Sequence, residues 1–173
     1  MSPRAVARRL RGLFAVPVLA FVILTFAPQA LAAPAHAPYP DVSHYKIANS
    51  QLFRVTDEAG VWFTTPLGVR CAIEDDASYG CSGELPGAPP GENEIAWLVG
   101  DPFPRLYHAE VPRFSSDAGQ TIAFESTYID YRGSRCAVTR ESAVYCIHGD
   151  DPNSQLMVTS GMTFRGSAAV PST

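Results

Sequence analysis

The residues whose type and spacing could do chemistry are four cysteines. They fall in two near-identical stretches, GVRCAIEDDASYGC at 68–81 and GSRCAVTRESAVYC at 133–146. Both fit G-x-R-C-A-[IV]-x7-C, they lie 65 residues apart, and together they use every cysteine of the chain. A structural zinc site wants cysteine pairs two to four residues apart, and a redox dithiol wants C-x-x-C; C-x9-C supplies neither. It does suit a hairpin. If Cys71 faces Cys81, then Ile73 faces Tyr79 and the tip falls at Asp75-Asp76-Ala77. If Cys136 faces Cys146, then Val138 faces Val144 and the tip falls at Arg140-Glu141-Ser142. The alternation of strand side chains places each cysteine pair and its apolar neighbours on one face, with polar residues at both tips. The spacing therefore predicts two local disulfides, Cys71–Cys81 and Cys136–Cys146, with cross-pairing between the motifs as the alternative. Each would close an 11-residue loop, contributing about 2.5–3 kcal/mol through loop-closure entropy.

Other chemistry is sparser. No G-x-S-x-G, H-E-x-x-H, P-loop or G-x-G-x-x-G occurs after the N-terminal segment, so no catalytic or cofactor-binding motif is present and no cofactor or metal is expected. His36, His44, His108 and His148 are the histidines, and a Ser-His-Asp set could be assembled from His148, Asp150 and a serine only in three dimensions. Glu74-Asp75-Asp76 and Asp150-Asp151-Pro152-Asn153 are oxygen-rich, but neither has EF-hand spacing. They read as solvated turns. Trp62 in GVWFTTP and Trp97 in EIAWLV flank a proline-rich loop, 84–93, containing Pro89 and Pro90. Core packing under the loop accounts for the two tryptophans; with exposure they and the prolines would instead form a binding surface for a protein or glycan.

The elements that would position these residues are short. From about Ser43, runs rich in Val, Ile, Phe, Tyr and Thr alternate with Gly, Pro and Asp clusters: QLFRV, GVWFTT, VRCAI, EIAWLV, QTIAFES, TYIDY, SRCAV, AVYCI and QLMVTSGMTF. This pattern predicts an all-β fold, a single small antiparallel sandwich or barrel-like domain. VSHYKIANSQLF has room for one or two helical turns, the 84–93 loop should be extended on the surface, and HGDDPNS should form an Asx turn.

The first 32 residues have the layout of a secretory signal peptide: Arg4, Arg8, Arg9 and Arg11, an apolar run over 12–27, then Ala30-Leu31-Ala32 as a cleavage site. At 16 residues and interrupted by Pro17, the apolar run is shorter than the ~20 needed to span a bilayer. The expected organisation is a signal peptide over 1–32, a Pro/Ala-rich flexible leader over 33–42, a disulfide-stabilised β domain over 43–166 and a flexible tail over 167–173. The four arginines of 1–32 have no accompanying acid, so their removal takes the formal charge from −4 to −8. An acidic chain with Lys46 as its one lysine suits neither nucleic acid nor an anionic membrane surface.

FTTPLGVRCAI and YRGSRCAV, with the terminal SGMTF, resemble small exported proteins of actinobacteria, mycobacteria especially. Their pattern is F-x-[ST]-P-x-G-x-x-C, then C, a Gly/Pro segment, Y-x-G-x-x-C, C and G-x-x-F. The matching residues run from Phe63, Thr65, Pro66, Gly68, Cys71 and Cys81 to Tyr131, Gly133, Cys136, Cys146, Gly161 and Phe164. The resemblance implies secretion and a disulfide-stapled β fold, and carries no activity with it. The reading is a secreted or cell-envelope-associated, non-catalytic binding protein with an extracellular or envelope protein or glycan as partner and no stable membrane insertion after signal cleavage. A small secreted hydrolase with a scattered site and a membrane-tethered sensor domain are the alternatives.

Overall fold

The computed structural model describes residues 39–167 and 170–171. The expected signal peptide and most of the leader lie outside the described residues. In chain order the elements are β1 (Lys46–Ile47), a 3-10 helix (Ser50–Phe53), β2 (Val61–Thr64), β3 (Arg70–Ile73), β4 (Tyr79–Ser82), β5 (Glu94–Trp97) and β6 (Arg105–Tyr107). They continue with β7 (Thr121–Ile122), β8 (Thr127–Tyr131), β9 (Ser134–Val138), β10 (Val144–His148), β11 (Leu156–Val158), β12 (Thr163–Arg165) and β13 (Val170–Pro171).

Two sheets result. The first has the order β6-β5-β4-β3-β2-β7 and the second β1-β8-β9-β10-β11-β12-β13. Both run antiparallel except at one edge, where β7 pairs parallel to β2 and β1 pairs parallel to β8. Their inner faces share one apolar cluster that includes Phe63, Ile73, Tyr79, Ile95, Ile129, Val144 and Leu156, with both cysteine pairs inside it. Burying side chains of this size contributes about 1.5–3 kcal/mol each, and enclosing both cystines in that core ties the two covalent staples to the packing.

The hairpins have the expected register. Cys71 faces Cys81 and Ile73 faces Tyr79, while Cys136 faces Cys146 and Val138 faces Val144. Both bridges are formed, Cys71–Cys81 and Cys136–Cys146. The repeated motif now has a local explanation. Its glycine, Gly68 or Gly133, takes a left-handed φ of 81° or 83° in the turn before the strand, a conformation that favours glycine. Its cysteine points inward, and its alanine, Ala72 or Ala137, is fully buried on the outer face. The tips match as well: Ala77 and Ser142, also 65 apart, have φ 75° and 64°, and equivalent backbone bonds close both turns.

Other stretches differ from expectation. QLFRV is not a strand: VSHYKIANSQLF holds the one helical turn it had room for, a 3-10 turn over Ser50–Phe53 capped by the Asn49 side chain, which accepts from Gln51 N. QLMVTSGMTF is two strands, folded back where the Thr159 hydroxyl bonds both Gly161 N and Met162 N. The 84–93 loop is a pair of tight turns rather than an extended strap. Ala88 N bonds Leu85 O, Glu92 N bonds Pro89 O, and Leu85 is anchored in the core. Residues 39–42, expected within the leader, pack on the second sheet: Val42 is buried, Tyr39 lies 5.5 Å from Tyr145, and its hydroxyl donates to Gly166 O. Val170–Pro171, expected in the tail, pairs with β12.

Candidate functional site

The sequence-derived binding surface does not assemble. Trp62 and Trp97 are only 5% and 6% exposed. Trp62 lies under the outer face of the first sheet and donates its Nε1–H to Ala59 O. Trp97 is sandwiched between Tyr79 at 5.5 Å and His148 at 4.8 Å, and donates to Asp101 O. Both are core aromatics with their indole N–H satisfied. Pro89 is half-buried and Pro90 exposed at the turn, with no tryptophan surface beside them to form a joint contact.

The scattered-site alternative fares similarly. His148 Nδ1 lies 2.9 Å from Ser134 Oγ, which would suit a nucleophile and its base. However, Ser134 is fully buried and its single hydroxyl proton goes to Ala77 O at 2.6 Å. His148 Nδ1 must then carry the proton and donate to Oγ, the reverse of base catalysis. Among the described residues no hydrogen bond joins Asp150 to His148. His108 Nδ1 faces the carbonyl of Gly91 at 2.8 Å, a contact that likewise requires a donating N–H. The acidic tip is divided among four partners: Glu74 takes Arg113 Nε and Nη2, Asp75 takes the Tyr131 hydroxyl and pairs with Arg54 at 3.9 Å, and Asp76 takes Ser78 N. Asp151 closes an Asx turn onto Asn153 N. No group of three or more His, Cys, Asp or Glu among the described residues could hold a metal.

The outer face of the first sheet is where unusual chemistry gathers. Pairing sets two rows of side chains across it. One row is small, with Ala72, Gly80 and Ala96 side by side. The next is polar: Arg70, Ser82, Glu94 and Tyr107. The segment 109–120 crosses this face. Phe114 lies on the small row so closely that a Cβ on Gly80 would stand 2.4 Å from its ring, so the sheet must have glycine there. The polar row holds the crossing backbone. Arg113 N–H donates to Glu94 Oε1, Phe114 N–H donates to Ser82 Oγ, and the Ser82 hydroxyl donates to the same Glu94 oxygen.

This leaves half of one carboxylate unused. Glu94 is fully buried, yet its Oε2 has no hydrogen-bond partner. It forms the floor of a recess of about 440 Å³, walled by Leu98, Leu106, Ala109 and Val111 and rimmed by Arg105 and Arg113. That volume is in the range of small-ligand sites. Tyr107 also lines it. Burial, followed by a side-chain hydrogen-bond interaction with Glu94 and then the charge of that carboxylate, raises the Tyr107 pKa above the ordinary tyrosine value, the contact falling outside full hydrogen-bond geometry at Oε2. Each arginine at the rim has its own acid: Arg105 Nε lies 3.0 Å from Asp101, and Arg113 is held by Glu74, which raises its pKa further.

The chain matches no protein-family model, no curated protein and no solved structure. The site therefore stands on its own geometry. Sequence reading missed Glu94, Ser82, Tyr107 and Arg113. The available signal was alternation in EIAWLV: with Ile95 and Trp97 inward, Glu94 must face outward. No helix among the described residues is long and apolar enough to cross a membrane.

Proposed function

We propose that this is a non-catalytic binding protein that works outside the cytoplasm, secreted or associated with the cell envelope, and that its ligand occupies the recess above Glu94. One observation carries the binding role: a fully buried carboxylate with an unpartnered oxygen at the floor of an accessible recess. Burying such a group without a partner is costly, so natural proteins keep few of them, and a ligand that pairs with it recovers the cost. The location is supported by the signal-peptide layout of 1–32 and by two disulfides, which persist in oxidising compartments. The resemblance to small exported actinobacterial proteins points the same way.

The test has two parts. Intact mass of protein recovered from culture medium should correspond to a chain beginning at Ala33; a retained 1–32 segment would replace secretion with the tethered-sensor reading. Amide NMR spectra of the mature protein, titrated with fractions of envelope extract, should shift signals of Tyr107, Val111 and Arg113 first. Shifts confined to other surfaces would move the binding role away from the recess.

A further inference from the structure

We propose that the Glu94 recess takes a primary ammonium group carried on a short aliphatic stem, such as a lysine-like side chain or an alkylamine; the assignment rests on the recess being the ligand site. Charge bookkeeping around the recess points to a cation. Asp101 and Glu74 are each engaged by an arginine, whereas Glu94 has no ion pair among the described residues. An ionised carboxylate only accepts, so its partner must donate, and a donor that also carries positive charge offsets the desolvation of the anion. An anionic ligand would meet arginines whose charge is already matched and a carboxylate that repels it.

The geometry selects among cations. Glu94 Oε1 is filled by the Ser82 hydroxyl and Arg113 N–H, leaving one oxygen. A guanidinium gains its advantage from two parallel bonds to both carboxylate oxygens, and that fork has nowhere to dock. An ammonium is a compact donor that one oxygen can serve. Leu98 and Val111 give the stem an apolar wall, while Leu106, opposite Ile95, packs against the inner core. Val111 is 84% exposed, so the stem can lead out to solvent and to a larger molecule.

The experiment is an amide NMR titration of the mature protein with hexylammonium, butylguanidinium, hexanol and hexanoate. Hexylammonium should shift Leu98, Tyr107, Val111 and Arg113 saturably, and bind about tenfold tighter than any of the other three. Glu94→Gln, which keeps the shape and an acceptor for Ser82, should remove that preference. Glu110→Lys, an exposed substitution between Ala109 and Val111 at a residue that does not itself line the recess, should weaken hexylammonium by about tenfold and leave hexanol unchanged; it carries the test if Glu94→Gln fails to fold. If hexanol or butylguanidinium binds the recess as tightly as hexylammonium, the ammonium assignment is overturned and the recess survives as a site. If no probe shifts these residues, both are overturned.

Discussion

Ala72 and Ala137 occupy the same place in the two sheets, each beside its own cystine and each fully buried, yet they lie under different covers. In the first sheet the neighbouring position is Gly80, and the crossing segment brings the aromatic, Phe114. In the second the neighbouring position is Tyr145, so the sheet brings the aromatic and the chain at 39–45 packs Tyr39 and Val42 against it. The polar row differs too. Counting from each cystine, Ser82 and Glu94 in the first sheet stand where Ile147 and Gln155 stand in the second. The second sheet fixes its cover through apolar packing and one tyrosine hydroxyl. The first fixes its cover with a buried carboxylate that has an oxygen left over. One ground plan thus yields two covered faces that each keep a recess, about 440 Å³ lined by the buried Glu94 in the first and about 370 Å³ lined by Pro40, Met157 and Phe164 in the second.

Mutation can break or sharpen this comparison. The largest effect is expected at the covers. Phe114→Ala should cost about 3–5 kcal/mol and Tyr145→Ala about 2–4 kcal/mol, measured by urea unfolding. Gly80→Ala should cost about 1–3 kcal/mol in the native background, and less when Phe114 is already alanine. An additive result would show that Gly80 is not there to admit the ring.

The cystines come next. Both close loops of the same sequence separation, 10, and both are fully buried, so replacing either pair by alanine should cost about 2.5–3 kcal/mol from loop entropy. Equal losses would confirm that the two hairpins are interchangeable staples; a difference beyond about 1 kcal/mol would locate unequal packing around them.

Alkaline pH should weaken both halves. Burial raises the pKa of Tyr79 and Tyr107 in the first sheet and of Tyr39 against the second, and pushes Tyr145 up to about 12. Unfolded tyrosines ionise near about pH 10. Above that value the folded state holds more protons than the unfolded state, so stability is fully present below about pH 10 and falls as pH rises toward the folded values. Thermal unfolding followed at successive pH values should show Tm level near neutrality, then dropping, with tyrosinate absorbance appearing together with unfolding. Tyrosinate appearing well before unfolding would contradict the burial of these phenols.

The smallest effect is at the motif glycines. Gly68→Ala and Gly133→Ala each force alanine into a left-handed turn, costing about 1–2 kcal/mol. Gly133 should be slightly the more sensitive, because its Cβ would approach His148 Cε1 to 3.4 Å while Gly68 faces open space.

The hairpins were readable in the sequence because two constraints coincide there: a disulfide demands facing cysteines, and strand alternation then assigns every neighbour to a face. Where only composition spoke, the reading slipped. QLFRV has strand-like residues, but the Asn49 cap turns the chain, and the proline-rich loop folds back because Leu85 anchors it. Trp62 and Trp97 left both readings open, and only the sheet pairing placed them inside. The recess was beyond reach for another reason. Alternation tells which face Glu94 lies on, but its partner Arg113 N–H is 19 residues away, and nothing local says which segment will cross that face.

The two short parallel edges have a consequence for how the molecule could come apart. β1 precedes the first sheet in sequence yet borders the second, and β7 precedes the second yet borders the first. A nick at the exposed residues 117–119, between β6 and β7, would therefore give two fragments that each carry away the other's border strand. Neither fragment would own a complete sheet. The protein should behave toward such a cut as a pair of mutually completing pieces, held in each other's edges, and separate only when both sheets open together.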